Sequence, residues 1–197
     1  MNKILSITAI ISFVLFMTVA HFVYHDMEIF GEEYLLTNMG DLKVLEPFSV
    51  IGTELVIGIA TIVLILFLWW VKKDYAGIIT VVVLVAGSNV LNKAIKEWME
   101  RERPPFSHGE EGFSFPSGHA MVGIVFLLVI AYFISKEISS MGMKVTLFTL
   151  AVILSLLAGF SRVAKQAHYP TDVAAGFLLG YSFFVLCIFL YEKRPAK

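Results

Sequence analysis

The chain predicts an all-α fold, a six-helix transmembrane bundle, and three observations carry that expectation. Of its 197 residues 58% are apolar and the mean hydropathy is +0.81, well above the roughly 45–50% apolar share of soluble domains. Apolar runs of about 20 residues, long enough to cross ~30 Å of hydrocarbon as helix, recur six times. Lysines and arginines then fall unevenly between the runs, which orients the bundle.

The first run, near 4–24, follows Lys3 and has the outline of a signal peptide. It continues through His21-Phe22-Val23-Tyr24 without a small-x-small cleavage site, so it reads as a retained helix. Residues 25–47 carry Asp26, Glu28, Glu32, Glu33, Asp41 and Glu46 among Met27, Ile29, Phe30, Leu35, Leu36 and Leu45. Two readings stay open: an amphipathic segment on the outer surface, helical on either side of Gly40, or a solvated connector. The second run, near 48–71, ends in Trp69-Trp70 beside Lys72-Lys73, an interfacial anchor. The third, near 76–99, bears a polar stripe of Ser88, Asn89 and Asn92 leading to Lys96, and such side chains inside a bilayer face the bundle. The fourth, near 118–135, opens after Ser117, a natural N-cap. The fifth, near 144–161, closes at Arg162. The sixth, near 171–191, starts behind Pro170, and its Gly176-x3-Gly180 would permit a close helix contact. A single domain over 1–197 is expected, with no internal repeat.

Lys3, Lys72, Lys73, Lys136, Lys144, Lys193, Arg194 and Lys197 share one side of this plan, which the positive-inside rule makes cytoplasmic, with both termini inside. Of the remaining cations, Lys43 stands apart, and Lys93, Lys96, Arg101, Arg103, Arg162 and Lys165 cluster on the opposite, extracytoplasmic side. A formal charge of −1 excludes nucleic acid as a partner, because no basic surplus exists to neutralise it. The single cysteine, Cys187, forms neither an internal disulfide nor a cysteine metal cluster and reads as packing or lipid-facing filler.

That cation cluster belongs to three segments, 96–104, 116–119 and 161–172, which the topology brings to one membrane face. Lys96 and Arg103 are seven apart and on a continuing helix would share a face, with Pro104-Pro105 ending it. Lys93 and Arg101 read as cations snorkelling from a helix end. Pro116-Ser117-Gly118-His119 sits where a loop becomes a helix, so unpaired N–H groups and a glycine offer an anion site. Arg162 can grip phosphate bidentately. Asp172 can accept from one ring nitrogen of His168 and leave the other free to attack phosphorus, while His119 is placed to protonate a leaving alkoxide. A metal site built from His119, His168 and Asp172 is a poor alternative beside three cations. His108, Glu110 and Glu111, in the loop between the first two segments, read as solvated residues or as selectors of a headgroup.

K-x6-R-P at Lys96 to Pro104, P-S-G-H at Pro116 to His119 and S-R-x5-H-x3-D at Ser161 to Asp172 resemble the three-part signature of the type 2 phosphatidic acid phosphatase family. These are membrane lipid phosphate phosphatases, and among them the chain is most similar to the bacterial phosphatidylglycerophosphatase B type. The resemblance implies Lys96, Arg103, Ser117, Gly118 and Arg162 as phosphate-binding residues. It further implies His168 as the nucleophile forming a phosphohistidine, Asp172 as its orienter, and His119 as acid and then base. No metal or other cofactor is implied. The partners implied are the bilayer and a phospholipid or isoprenoid lipid phosphate: phosphatidylglycerophosphate, phosphatidic acid or undecaprenyl diphosphate. Ala164-Lys165-Gln166 depart from the aromatic and glycine that many relatives carry there. A non-catalytic lipid-phosphate carrier would keep the cations but has no use for an oriented histidine.

Overall fold

A computed structural model describes residues 3–40, 42–107 and 110–194; His108, Asp41 and Lys197, named above, lie outside the described residues. The described chain is helical: α1 (Lys3–Tyr24), α2 (Glu32–Gly40), a 3-10 segment (Lys43–Gly52), α3 (Glu54–Phe67, prolonged by a π-turn, Leu68–Lys72), α4 (Tyr75–Met99), α5 (Gly118–Ser135), α6 (Met141–Ala164) and α7 (Pro170–Lys193). Among the described residues six helices are long and apolar enough to cross a membrane: Lys3–Tyr24, Glu54–Lys72, Tyr75–Met99, Gly118–Ser135, Met141–Ala164 and Pro170–Lys193. The expected six-helix transmembrane bundle is the fold.

Helix α5 is apolar all round because it runs through the middle, where a helix has no solvent or lipid face to keep polar. Ala120, Met121, Val125 and Val129 are fully buried there, against α4, α6 and α7. The close contact expected of Gly176 and Gly180 is made with α5: a Cβ on either would lie 2.7 Å from a backbone oxygen, Ser117 O or Met121 O. Helix α1 lies outside α7, joined to it by Ser12 Oγ donating to Leu178 O (3.0 Å) and Ser182 Oγ donating to Ala9 O (3.0 Å). At the end away from the motifs, Tyr191 and Arg194 donate to the Asp74 carboxylate, Lys136 donates to the Tyr191 hydroxyl (2.9 Å), and Lys72 pairs with Glu137 (2.8 Å).

The second span begins six residues later than expected. The apolar stretch before it contains Pro47, which cannot donate to a helical ladder, and the chain takes a 3-10 path to Gly52 and an extended Thr53. That segment packs against α5 and α6 instead of crossing the bilayer. Together with α2 it forms a strap across the end of the bundle where the connectors α4–α5 and α6–α7 also lie.

Candidate active site

Helix α4 does not continue to Arg103. Glu100 adopts a left-handed conformation (φ 48°) and donates to Lys96 O at 2.9 Å, so the helix stops before the prolines and the shared helical face expected of Lys96 and Arg103 does not exist. The loop achieves the convergence instead. Arg103 Nε donates to Gly112 O (2.9 Å) and its Nη1 to Ala167 O (2.8 Å), which leaves Nη1 3.4 Å from His168 Nε2. Lys96 Nζ donates to Phe113 O at 2.7 Å, and Arg103 and Arg162 are near enough to bear on its charge. Arg162, in the last turn of α6, is buried, and its Nη2 donates to the Glu110 carboxylate, whose other oxygen is 3.9 Å from Arg103. Two arginines therefore hold one carboxylate beside a histidine nitrogen, with Lys96 near enough to feel its charge.

Besides His168 Nδ1, two polar atoms at this place want a partner. Ser117 Oγ and Arg162 Nε are buried with no hydrogen bond among the described residues. Ser117 does occupy the N-cap position of α5, but its side chain makes no capping bond. Orphaned buried donors beside convergent cations are what an anion site shows without its anion. The stripe on α4 behaves as expected: Ser88 and Asn92 are buried, and Asn92 Nδ2 donates to Pro116 O (3.0 Å), holding the loop that presents Ser117.

Asp172, fully buried, accepts from the Tyr169 N–H (2.9 Å) through Oδ2, and the same oxygen is 3.4 Å from His168 Nδ1. That distance is long for a hydrogen bond. A shift of the ring by a few tenths of an ångström would close it. Burial pushes the His168 imidazole down to about 4, against the pull of Asp172, and Lys96 and Arg103 add to the depression. The ring is thus neutral, with Nε2 unprotonated when Nδ1 carries the hydrogen. Burial alone would raise the Glu110 carboxyl, but Arg162 and Arg103 outweigh it and hold the group below its usual range, so the carboxylate on the cations is charged.

His119, in the first turn of α5, faces Arg162, His168 and Lys165. It is pressed against the strap: a Cβ on Gly52 would fall 2.6 Å from His119 Cδ2. From His119, Gly118 and Lys96 a groove of about 750 Å³ descends between α3 and α4 past Ile57, Thr61, Val82 and Val85. Its head is polar and its depth apolar.

Sequence reasoning missed the contributions of Arg101, Glu32 and Gly52 and read Glu110 mainly as solvated. Arg101, taken as a snorkelling cation, points inward, donating to Asp172 Oδ1 at 2.6 Å and to Glu32 Oε2 at 2.8 Å. Removing the cation from a buried carboxylate costs about 3–5 kcal/mol, so this contact is not incidental. Glu110, favoured as solvated, lies on Arg162. Gly52 lies on His119. Arg101 carried a usable signal, two residues before Arg103; Glu32 and Gly52 are far in sequence from everything they touch and carried none.

Residues 77–196 match the PAP2 superfamily. The chain is 39% identical over 130 residues to phosphatidylglycerophosphatase B of Bacillus subtilis, an alignment covering 64% of this chain and 63% of that protein. It is 32% identical over 88 residues to an undecaprenyl-diphosphatase of Sulfolobus acidocaldarius, covering 43% of this chain and 37% of that one. The chain thus spans less than two thirds of either relative. The crystal structure of a transmembrane PAP2-type phosphatidylglycerolphosphate phosphatase from Bacillus subtilis superposes with a TM-score of 0.82 at 26% identity, covering 94% of this chain and 96% of that one. With the three segments, the bundle and the matched region in agreement, this multi-pass membrane protein belongs to the PAP2 superfamily.

Proposed function

We propose that the chain, one domain over 1–197, is a lipid phosphate phosphatase that cleaves a phosphate monoester through a phosphohistidine. One observation carries this reading: Arg103 and Arg162 converge on an anion beside His168 Nε2, and nearby Lys96 and His119 line the polar head of a groove whose depth is apolar. The substrate phosphate takes the place of the Glu110 carboxylate, with Ser117 Oγ and the N–H groups at Gly118 completing its contacts. His168 Nε2 attacks phosphorus as the ester P–O bond breaks, and His119 gives the departing alkoxide its proton. Asp172 stabilises the charge that the phosphorylated ring acquires. His119 then takes a proton from water as that water attacks phosphorus, the P–N bond breaks, and its electrons return to Nε2. The acyl or prenyl chain lies in the groove.

The likeness to phosphatidylglycerophosphatase B and the apolar groove favour phosphatidylglycerophosphate or phosphatidic acid as substrate. The likeness to an undecaprenyl-diphosphatase supports a diphosphate alternative. Phosphate release from a panel of the three lipids separates these, and absence of release from any of them would favour a carrier.

Metal independence rests on charge, because three cations supply the stabilisation that a metal would otherwise provide. Activity should persist in excess chelator, and vanadate, which adopts a five-coordinate geometry like that of the transition state, should inhibit. Loss of activity in chelator with recovery on adding Mg²⁺ contradicts this part of the reading.

The cation distribution supports a topology with both termini in the cytoplasm and the catalytic loops outside. In a Cys187→Ala background, a cysteine at the exposed Phe106 should react with an impermeant maleimide added from outside, and one at Ser139 should not. The reverse pattern inverts the topology.

A further inference from the structure

Asp172 serves two partners, a neutral histidine and an arginine, from one carboxylate. Oδ2 faces His168 Nδ1 and the Tyr169 N–H, and Oδ1 accepts from Arg101 at 2.6 Å. Arg101 is itself held on three further points. It donates to Thr171 Oγ1 (2.8 Å) and to Glu32 Oε2 (2.8 Å), and its guanidinium lies 4.1 Å above the Tyr169 ring. Thr171 donates to the other oxygen of Glu32. Among the described residues no side-chain hydrogen bond or ion pair joins Glu32 or Arg101 to Lys96, Arg103, Arg162 or Glu110.

We propose that Arg101 and Glu32 are positioning residues for the His168–Asp172 pair, forming with it a chain of alternating charge, Glu32–Arg101–Asp172–His168, anchored on the extramembrane helix α2. This rests on the phosphohistidine reading. The chain answers a conflict in that chemistry. A fully buried carboxylate needs a cation to remain charged, and a neutral His168 supplies none. Arg101 supplies one, but a cation on Asp172 weakens the negative potential that reaches His168. Glu32 offsets Arg101 from its far side and restores part of that potential. Asp172 is thereby fixed in orientation while still able to stabilise the cationic, phosphorylated ring.

The other charged and titratable groups around His168 are Lys96 from α4, Arg103 and Glu110 from the α4–α5 connector, His119 from α5 and Arg162 from α6. None is altered by substitutions at Arg101 or Glu32, so opposite substitutions isolate the chain. Glu32→Gln removes the offset, leaves Arg101 fully positive on Asp172, and should make His168 easier to deprotonate. Arg101→Gln frees the Asp172 charge for His168 and should make it harder. The acid limb of kcat/KM, set by the need for an unprotonated Nε2, should therefore move to lower pH in Glu32→Gln and to higher pH in Arg101→Gln, each by about half a unit or more at such charge separations. kcat should fall in both, with KM changed less.

The experiment is a pair of pH titrations on the full chain in nanodiscs. One follows kcat/KM for phosphatidic acid. The other follows the ¹⁵N signal of His168 in histidine-labelled protein, assigned by its loss in His168→Ala. Opposite shifts of the ring titration support the chain. Shifts in one direction, or none in the isosteric Glu32→Gln variant, overturn it even if Arg101→Gln fails to fold. A wild-type protein with no turnover defeats the phosphatase reading instead, and the ¹⁵N titration still decides whether the chain exists.

Discussion

His168→Ala should form no phosphoenzyme with any substrate, whereas His119→Ala should form one at a rate that depends on the leaving group. Nε2 of His168 lies against Arg103 and among the cations that would hold the phosphate, so its loss removes the only step that makes the P–N bond. His119, whose ring is near enough to His168 for their charges to interact, would act on the oxygen that departs. A lipid glycerol alkoxide needs a proton in the transition state, and general-acid assistance of this kind is worth about 10²–10⁴-fold. A nitrophenolate leaves unaided. Single-turnover phosphorylation of His119→Ala should thus be slowed by that factor with phosphatidic acid and far less with nitrophenyl phosphate. Steady-state rates would obscure this, since His119 would also activate water. A phosphoenzyme in His168→Ala, absent from His119→Ala, would reverse the roles.

Gly52→Ala should reproduce the His119→Ala profile from outside the signature segments. The added methyl would sit 2.6 Å from His119 Cδ2 and 3.0 Å from its Cβ. The near approach to Cβ matters most, because rotating the ring does not move that atom and α5 is packed on several sides. Either the imidazole leaves its place or the strap lifts from it. No positive φ is involved at Gly52, so the backbone itself accepts alanine and the protein should insert and fold. We expect lipid-ester phosphorylation to fall by about 10-fold to 10²-fold, within the range of misplaced general-acid catalysis, with aryl phosphate little affected. An equal loss on both substrates would mean that the methyl disturbs the nucleophile or the phosphate contacts and not His119.

Both predictions mark the boundary of what was legible beforehand. The spans were readable because crossing hydrocarbon demands about 20 apolar residues, a constraint that tertiary packing does not override. The same reasoning overextended the second span, since Phe48 to Gly52 are apolar for a different reason: they cover the end of the bundle at α6. The convergence of Lys96, Arg103, His119, Arg162 and His168 was readable from topology alone. The means was not. A helix carrying Lys96 to Arg103 was expected, and a left-handed Glu100 followed by an extended loop does the work instead. Arg101 was misjudged because a cation at a span end has two destinations, water or a buried carboxylate, and the choice belongs to Asp172, 71 residues away. Contacts of the strap, such as Gly52 on His119 or Glu32 on Arg101, leave no periodicity and no charge pattern. They exist only once the bundle has assembled.

If phosphate binds among these cations, the carboxylate of Glu110 resting on Arg162 would make the binding step an exchange of anions. A phosphate entering from the bilayer would not fill a vacant, electropositive hole; it would displace a tethered ion that already neutralises the arginines and holds its charge through Arg162 and Arg103. The cations are spared mutual repulsion between turnovers, and weakly held anions from the surrounding water compete against a partner present at high local concentration. A lipid phosphate has a further source of affinity that a free ion lacks, the transfer of its chain into the groove between α3 and α4. The loop that carries Glu110 would then act as a threshold, admitting molecules that bring hydrocarbon with their phosphate and returning to its place as the inorganic product leaves.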